Sequence, residues 1–202
     1  MQNPSEGSQN IDEVNNVFYN ASGASFDKIP FESILPDLFL KYGTGKEALE
    51  IGSGAGALAI WLEGQGCKVT CLEPAKELAK KAAAKGLKVY PMRVQDFLED
   101  QLYDSAIAIS SLIHVPKADL PLQIRKIARL LKPGGMFFVS FIEGEGEGFE
   151  DPTKALRSRY FAKWKEDELE AITSSYFSLL ESYRIYNERM DRTFSLRVYT
   201  LK

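Results

Sequence analysis

The sequence has little cysteine and little histidine, with two of the first and one of the second in 202 residues. Cys67 and Cys71 flank a predicted strand, so their side chains are expected on one face of it, too far apart for a relaxed disulfide. One histidine and this spacing offer no zinc ligand set, and no metal site is expected. We interpret both cysteines as small buried apolar residues in a reducing compartment.

Long apolar runs and a strong excess of one charge are also lacking. No stretch is apolar for long enough to span a bilayer. The polar N-terminus, MQNPSEGSQN, has no apolar core of the kind that signal peptides contain. The formal net charge is −3, which gives no general attraction to nucleic acid or to an anionic membrane. The composition therefore predicts a cytoplasmic protein without a nucleic-acid or membrane partner.

The length and the hydrophobic content of 45% fit one globular domain. Residues 1–10 are predicted to be disordered because they are polar, and residues 11–202 to form the domain. Apolar periodicity predicts two helices in the N-terminal part, over 11–19 and 31–42. Pro36 is expected to kink the second of these helices or to shift its start.

Strands and helices are predicted to alternate through the middle of the chain. Predicted strands cover 48–51, 67–73, 87–90, 103–109 and 136–141, and predicted helices cover 57–62, 75–85 and 120–131. This alternation predicts an α/β fold, a doubly wound and mostly parallel sheet with helices on both faces. Two further strands, over 177–186 and 192–201, are expected to pair antiparallel at the sheet edge.

The most informative stretch is 48–60, where a predicted strand meets a predicted helix through Gly52, Gly54 and Gly56. Glycines permit a tight turn and close approach of a ligand to the backbone, and the helix start presents unpaired N–H groups. The pattern Gly-x-Gly-x-x-Ala fits the dinucleotide fingerprint. The pattern Glu-x-Gly-x-Gly-x-Gly, beginning at Glu50, fits the first motif of S-adenosylmethionine-dependent methyltransferases. The glycines alone do not choose between these ligands.

The ends of the next strands carry further candidates, because open α/β sheets bind ligands beyond the carboxyl ends of their strands. Glu73 lies about 20 residues after the glycines, where an acid accepts hydrogen bonds from ribose hydroxyls. Asp96 is interpreted either as an acceptor for an exocyclic amine or as a helix cap. His114, after the fourth strand, suits either a base that orients a substrate or a structural histidine.

The segments ALEIGSGAG, CLEP, VQDF, YDSAIAISSLIHV and LKPGGMFFVSF follow in this order. Over residues 46–142 they resemble the successive motifs of class I S-adenosylmethionine-dependent methyltransferases. The resemblance implies a seven-stranded Rossmann-like sheet whose last strand is antiparallel, with N-terminal helices (11–45) over the cofactor site. It implies S-adenosylmethionine as cofactor and S-adenosylhomocysteine as product. The cofactor contacts it implies are Tyr19, Glu50, Gly52, Ser53, Gly54, Gly56, Glu73, Pro74, Gln95, Asp96, Phe97 and Ser110.

The sequence therefore predicts a methyltransferase for a small-molecule acceptor, since no nucleic-acid or protein-binding module is visible. The alternatives are an NAD(P)-dependent oxidoreductase and a non-catalytic S-adenosylmethionine-binding module. An acidic, glycine-rich stretch and the cations and aromatic residues after it predict a lid over 143–164, with Arg159, Tyr160 and His114 lining the acceptor site. The alternative for this segment is a solvated loop followed by an amphipathic helix with core aromatic residues.

Overall fold

The computed structural model describes residues 6–22, 34–98, 101–150, 158–188 and 190–202. The helices are α1 (Glu6–Ser22), α2 (Leu35–Tyr42), α3 (Ala57–Gly64), α4 (Lys76–Ala84), α5 (Leu120–Leu130) and α6 (Glu166–Thr173). The strands are β1 (Glu47–Ile51), β2 (Lys68–Leu72), β3 (Lys88–Tyr90), β4 (Tyr103–Ala108), β5 (Leu131–Glu143), β6 (Glu147–Phe149), β7 (Tyr160–Trp164), β8 (Phe177–Asn187) and β9 (Arg192–Leu201).

The sheet has the mostly parallel arrangement that the alternation of strands and helices predicted. Parallel pairs give the order β3-β2-β1-β4-β5. β9 then pairs antiparallel with β5 on one side and with β8 on the other. β8 is consequently parallel to β5, and β9 is the antiparallel member of this seven-stranded arrangement. The predicted α/β fold class is confirmed, and so is the antiparallel pair at the edge.

Two more strands extend the sheet at the carboxyl end of β5. β7 pairs parallel with β5 at Ile142 and Glu143, and β6 pairs antiparallel with β7. The interpretation of this part as an amphipathic helix is wrong, because Tyr160, Phe161 and Trp164 favour a pleated, buried surface and enter a strand. Residues 151–157, inside the predicted lid, lie outside the described residues. Movement of segment 143–164 over a ligand, as a lid, stays a prediction.

The N-terminal helices differ in their starts from the predicted ranges. α1 begins at Glu6, inside the stretch 1–10 that was predicted to be disordered, and residues 1–5 lie outside the described residues. Extending a helix costs less than nucleating one, so the predicted helix over 11–19 continues towards the N-terminus. α2 begins at Leu35 with Pro36 in its first turn, which is the shifted start that the proline predicted.

The core has one large apolar cluster on each face of the sheet. Phe137 and Trp164 belong to the cluster that α5 and α6 cover, and Phe138 belongs to the cluster under α2 and α3. Cys71 is buried in the second cluster, and both cysteines are free. Within the described ranges, no helix combines the length and the apolar character needed to cross a membrane. The packed faces leave the carboxyl ends of the strands as the open edge of the sheet.

Candidate functional site

A cavity of about 400 Å³ lies at the carboxyl ends of β1, β2 and β4. Its walls come from the glycine turn, the end of β2, the turn after β4, α1, the start of β7 and the β8–β9 connection. The predicted cofactor residues on its wall are Tyr19, Glu50, Gly52, Ser53, Gly54, Glu73, Pro74 and Ser110. The predicted acceptor-side residues on its wall are His114 and Arg159. The fold therefore brings most of the predicted site residues to one cavity.

The glycine turn brings bare backbone to the cavity. Gly52 and Gly54 have φ of 74° and 57°, in the left-handed region that glycine adopts most readily. A Cβ on Gly54 would meet no atom within 4 Å, so this position faces open space, whereas a Cβ on Gly52 would lie 2.3 Å from Cβ of Ser111. The N–H groups of Gly52 and Ser53 both donate to the carbonyl of Leu72, at 2.7 and 3.2 Å. These bonds hold the turn against the end of β2.

Gly56 does not line the cavity, although it belongs to the same motif. Its φ is 84°, and a Cβ there would lie 2.2 Å from Cδ1 of Leu87 and 3.2 Å from Cβ of Ala82. The glycine therefore allows the start of α3 to pack closely against α4 and the start of β3. Its prediction as a cofactor contact receives no support from the geometry, because the constraint on this position is packing.

Glu73 ties the glycine turn to the start of α4. Its side chain is buried, and its two oxygens accept hydrogen bonds from the N–H of Gly54 at 2.7 Å and of Ala75 at 2.8 Å. Burial raises the pKa of this carboxyl above its ordinary value, and the two N–H donors oppose the rise. Each carboxylate oxygen has a second lone pair, so Glu73 keeps the capacity to accept from a ligand hydroxyl.

Glu50 is a buried carboxyl whose second oxygen has no partner among the described residues. The N–H of Ala59 in the first turn of α3 donates to this side chain, and Oε2 receives no hydrogen bond. Burial, and then the neighbouring charge of Glu73, raise the pKa of Glu50 to about 8. A carboxyl held in this way would be stabilised in its charged form by a cationic or hydrogen-donating ligand group.

The segment after β3 contributes one wall of the cavity, a few residues before the positions that the sequence predicted. Met92, Arg93 and Val94 line the cavity, whereas Gln95, Asp96 and Phe97 do not. The amide of Gln95 accepts from Gln123 at 2.9 Å, and the ring of Phe97 is 2% exposed in the core. The sequence contained a signal for this wall, because Met92 and Arg93 directly precede VQDF and Val94 is its first residue.

Asp96 ends a 3-10 turn over Val94–Asp96, and its side chain is exposed. Its backbone N–H donates to Arg93, and the N–H of Phe97 makes a long 3.4 Å bond to Val94. The carboxylate therefore lies beyond the cavity wall that Arg93 and Val94 form. The roles of Asp96 and Phe97 as ligand contacts stay predictions.

Ser110 adopts a backbone conformation that is unusual for its residue type. Its φ is 54°, and its N–H donates to Oγ of Ser140 on β5 at 2.8 Å. A serine in this region costs free energy, and such residues cluster at functional sites. The neighbouring Ser111 has a buried Oγ without a hydrogen-bond partner. The turn after β4 thus presents polar atoms to the cavity.

His114 connects three parts of the site. Its Nδ1 lies 2.7 Å from the carbonyl of Tyr160, and its Nε2 lies 2.6 Å from the hydroxyl of Tyr19. Burial, opposed by the Tyr160 bond and reinforced by nearby arginines, lowers the pKa of the imidazole to about 4. The ring is therefore neutral near pH 7, with the proton on Nδ1 and Nε2 accepting from Tyr19.

Tyr160 reaches this site only through its carbonyl. Its side chain is buried away from the cavity, in edge-to-face contact with Phe149 at 5.5 Å between ring centroids and bonded to Glu147. The prediction that Tyr160 lines the acceptor side is therefore wrong for its side chain. Residues on a strand point alternately to opposite faces, and Arg159, one position earlier, faces the cavity.

Sequence reasoning missed several lining residues because their positions depend on tertiary packing. These are Asn15 and Asn16 of α1 and, near the β8–β9 connection, Asn187, Met190 and Phe194. Oδ1 of Asn15 accepts from the N–H of Tyr160 at 2.9 Å, which joins α1 to β7. The resemblance placed the N-terminal helices over the site without naming these two asparagines, and no motif indicated that the β8–β9 connection would reach the cavity.

The cavity wall carries five buried polar atoms that have no hydrogen-bond partner among the described residues. They are Nδ2 of Asn15, Oε2 of Glu50, Oγ of Ser53, Oγ of Ser111 and Nε of Arg159. Buried polar atoms without partners are rare in folded proteins. Five around one cavity indicate that a polar ligand completes it. A nucleoside with an attached amino acid, as in S-adenosylmethionine, offers hydroxyls, an ammonium group and a carboxylate and fits this set.

Comparison with known proteins identifies relatives of the central part of the chain. Residues 49–139 match the sequence family described as "Methyltransferase domain". The ubiquinone biosynthesis O-methyltransferase of Xanthomonas oryzae pv. oryzae is 36% identical over 104 residues, which are 48% of this chain and 43% of that protein. Its counterpart in Klebsiella pneumoniae is 34% identical over 115 residues, 52% of this chain and 46% of that protein. The matched part thus spans less than half the length of these relatives.

Solved structures of low sequence identity share the whole fold. The Burkholderia thailandensis 1,6-didemethyltoxoflavin-N1-methyltransferase, solved with 1,6-didemethyltoxoflavin and S-adenosylhomocysteine, has a TM-score of 0.78 at 18% identity, over 100% of this chain and 92% of that one. The N-methyltransferase NodS of Bradyrhizobium japonicum, solved with S-adenosylhomocysteine, has a TM-score of 0.69 at 16% identity, over 93% and 98%. Over residues 49–139 the chain is similar to the methyltransferase domain family, and with its glycine turn and acidic strand ends it shares the Rossmann-like fold of these S-adenosylmethionine-dependent methyltransferases.

Proposed function

We propose that this protein transfers the methyl group of S-adenosylmethionine to a small-molecule acceptor. The observation that carries the proposal is the pair of buried acids at the ends of β1 and β2. The glycine turn anchors Glu73, and Glu50 keeps one buried oxygen without a partner. A dinucleotide site also has an acid that binds the ribose. A second buried carboxyl at the glycine turn fits S-adenosylmethionine better, because its cationic methionine end can pair with that carboxyl.

The lining residues divide naturally along the cofactor. Glu73 accepts from the ribose hydroxyls, with Pro74 beside it. Gly52, Ser53 and Gly54 present backbone to the methionine end, and Oε2 of Glu50 pairs with its ammonium group. Tyr19 and Ser110 close the cavity from α1 and from the turn after β4. These roles follow from the lining of the cavity and from the capacity of each group to donate or accept.

The adenine end lies, in this proposal, against the segment after β3. Met92 and Val94 provide an apolar wall for a flat ring. Asp96, exposed just beyond that wall, accepts from the exocyclic amine at the rim, and the long bond from the N–H of Phe97 leaves that donor free to share with the ring. Gln95 supports the wall through its bond to Gln123, and Gly56 supports the glycine turn through packing.

The protein's task in such a reaction is alignment and proton acceptance. S-adenosylmethionine supplies an electrophilic methyl group, so the chain must place an acceptor atom in line with it and exclude water. His114 is neutral, and its Nε2 accepts a proton from an acceptor hydroxyl or amine that replaces the Tyr19 hydroxyl. The carbonyl of Tyr160 holds the imidazole in the tautomer that leaves Nε2 bare.

The small-molecule acceptor is supported by what the similar proteins are named for. The relatives are ubiquinone biosynthesis O-methyltransferases, and the Burkholderia neighbour is a 1,6-didemethyltoxoflavin-N1-methyltransferase. The cavity volume of about 400 Å³ is also in the range of small-molecule sites. Because the matched part spans less than half the length of the curated relatives, their acceptors are not transferred to this chain.

Calorimetry with three ligands tests the proposal. S-adenosylmethionine and S-adenosylhomocysteine are expected to bind one per chain with micromolar affinity, and NAD and NADP to show no heat of binding. Release of S-adenosylhomocysteine in the presence of a panel of phenols, amines and carboxylic acids then separates an enzyme from a binding module. Binding of NAD in place of S-adenosylhomocysteine would overturn the proposal.

A further inference from the structure

Two arginines share one carboxylate at the edge of the cavity. Arg159 comes immediately before β7, and Arg192 begins β9. Their Nη2 atoms lie 3.2 and 3.3 Å from the two oxygens of Glu150. Charge-assisted bonds between these groups are normally about 2.7–2.9 Å long, so neither contact is close. One carboxylate between two guanidinium groups leaves an excess of one positive charge in this cluster.

Aromatic rings hold both guanidinium groups in place. The guanidinium carbons of Arg159 and Arg192 lie 4.9 and 4.2 Å from the ring centroid of Phe161. Arg159 also lies 4.7 Å from the ring centroid of Phe18 on α1. Stacking on rings fixes the plane of a guanidinium and leaves its edge free for hydrogen bonds. The pair is therefore positioned before any ligand arrives.

Two donors of this pair have no partner among the described residues, although both arginines bond Glu150 and Arg159 also hydrogen-bonds the side chain of Tyr19. Nε of Arg159 and Nη1 of Arg192 are buried and have no hydrogen-bond partner there. The side chains are 18% and 17% exposed, so water reaches them poorly. An unpaired buried N–H group destabilises the folded protein, and more so on a charged side chain, unless a ligand accepts a hydrogen bond from it. Two such donors on adjacent cations match the acceptor pattern of an oxyanion.

The cluster adjoins the half of the cavity that the proposed cofactor does not use. Arg159 lines the cavity together with His114, Met190 and Phe194, which lie around the ends of β4, β7 and β9. Among the described residues, the acids on the cavity wall are Glu50 and Glu73, both at the glycine turn. The carboxylate beside the arginine pair is that of Glu150, which is not among the lining residues, so a negatively charged group in the cavity near Arg159 meets no acid on this part of the described wall.

We infer that the methyl acceptor is a largely apolar small molecule carrying an oxyanion, a carboxylate or a phosphate, that binds the guanidinium pair of Arg159 and Arg192. The oxyanion accepts from the two unpaired N–H groups, and the apolar body lies against Met190 and Phe194. This places the nucleophilic atom towards His114. The inference rests on the proposed function and names the substrate class of that same site.

The test is calorimetry on protein saturated with S-adenosylhomocysteine, with three probes of similar size. These are 4-hydroxybenzoate, phenyl phosphate and the neutral methyl 4-hydroxybenzoate. We expect at least one oxyanion probe to bind at least tenfold more tightly than the ester, and the preferred oxyanion identifies the headgroup. In Arg159→Gln this preference is expected to fall at least tenfold. Lys163→Gln, which removes an exposed cation from the same β7, is the matched control and is expected to bind within twofold of wild type.

Two results overturn the inference: equal binding of all three probes to the wild type, or an unchanged preference in Arg159→Gln. Arg192→Gln provides an independent second variant, and a thermal melt of each variant verifies that it is folded. S-adenosylhomocysteine is titrated into the same samples first. Failure of the wild type to bind it contradicts the proposed function, whereas normal binding without an oxyanion preference contradicts the acceptor inference alone.

Discussion

The hydroxyl of Tyr19 donates to Nε2 of His114 across 2.6 Å, joining residues 95 positions apart in the chain. The same imidazole donates from Nδ1 to the carbonyl of Tyr160, 46 positions further on. The first helix, the turn after β4 and the start of β7 are thus held together by one side chain. Because both ring nitrogens are engaged, the tautomer of His114 follows from its neighbours rather than from its own preference.

Titration of His114 is the first prediction, and it is easily observed because the sequence contains one histidine. Burial and nearby arginines lower the pKa of its imidazole to about 4, so the Hε1 resonance should not shift between pH 5.5 and 7.5. In the unfolded chain the ring binds a proton near pH 6.5, whereas in the folded protein it stays neutral down to about pH 4. The free energy of unfolding should therefore decrease as the pH falls from 6.5 towards 4. A midpoint near 6.5 in the folded protein would contradict the prediction, and the urea-unfolded protein is the reference.

Glu73→Ala should weaken binding of S-adenosylhomocysteine about tenfold or more. In the proposed site the variant removes the acceptor for two ribose hydroxyls, and one charge-assisted hydrogen bond is worth roughly 1.5–3 kcal/mol. It also removes the bond that holds the N–H of Gly54, so a thermal melt must accompany the calorimetry. Glu170→Ala, an exposed acid on α6, is the matched control. Unchanged affinity in folded Glu73→Ala would remove this residue from the site.

Asp96→Ala tests the adenine end. If the exposed carboxylate accepts from the exocyclic amine, the wild type should prefer S-adenosylhomocysteine over S-inosylhomocysteine, which has a carbonyl oxygen at that position. The variant should lose most of this preference, because a single hydrogen bond from a neutral donor to a carboxylate is worth roughly 1.5–3 kcal/mol. The same preference in both proteins would reduce Asp96 to a residue of the 3-10 turn that ends there.

Gly54 and Gly56 should respond differently to alanine. Gly56→Ala places a Cβ 2.2 Å from Leu87 at a φ of 84°, so overpacking and left-handed strain should together lower the free energy of unfolding by roughly 2–4 kcal/mol. Gly54→Ala meets no atom within 4 Å and should cost only the strain, about 1 kcal/mol. Gly54→Ala should weaken ligand binding more than Gly56→Ala does, because Gly54 lines the cavity and Gly56 does not. Urea unfolding and calorimetry on both variants measure the two rankings.

The parts of the site that the sequence predicted are those whose geometry is local. The glycine turn and the turn holding Ser110 directly follow predicted strands, Glu73 is the last residue of another, and a parallel sheet brings these strand ends to one edge. Pro36 likewise specified the start of α2 within one helical turn. The structure adds that Gly56 is constrained by Leu87, which lies 31 positions later in the chain, so no local pattern separates it from Gly52 and Gly54.

The parts that the sequence did not predict depend on pairing between distant segments. The aromatic run at Tyr160 fits a helix face or a strand equally well until β5 supplies a partner through Ile142 and Glu143. Arg192 carries no motif, and it meets Arg159 only because β9 pairs along β5 while β7 pairs at its end. The acceptor side of the cavity is built from such contacts. This is why Arg192, Met190 and Phe194 were found only from the structure, although the sequence had already placed His114 and Arg159 on this side.

Glu50→Gln should be more stable than the wild type at alkaline pH. The pKa of Glu50 is raised by burial to about 8, against an ordinary value of 4.5, so the unfolded chain ionises more readily than the folded protein. Neutral Glu50 therefore stabilises the folded protein fully below pH 4.5, and this contribution to the free energy of unfolding is lost as the pH rises to 8. A shift of this size corresponds to roughly 2–5 kcal/mol, which glutamine, being neutral at every pH, retains.

Urea unfolding of both proteins at pH 5 and pH 8.5 measures the difference. Glutamine keeps an acceptor for the N–H of Ala59, so the gap should be small at pH 5 and should open as the pH rises. Glu63→Gln, which neutralises an exposed acid on the same helix α3, should show no such gap. S-adenosylmethionine affinity should fall in Glu50→Gln, because the charged oxygen that would pair with the ammonium group is gone. Higher stability together with weaker binding would indicate that Glu50 is kept for function. Parallel stability profiles against pH for variant and wild type would contradict the raised pKa of Glu50.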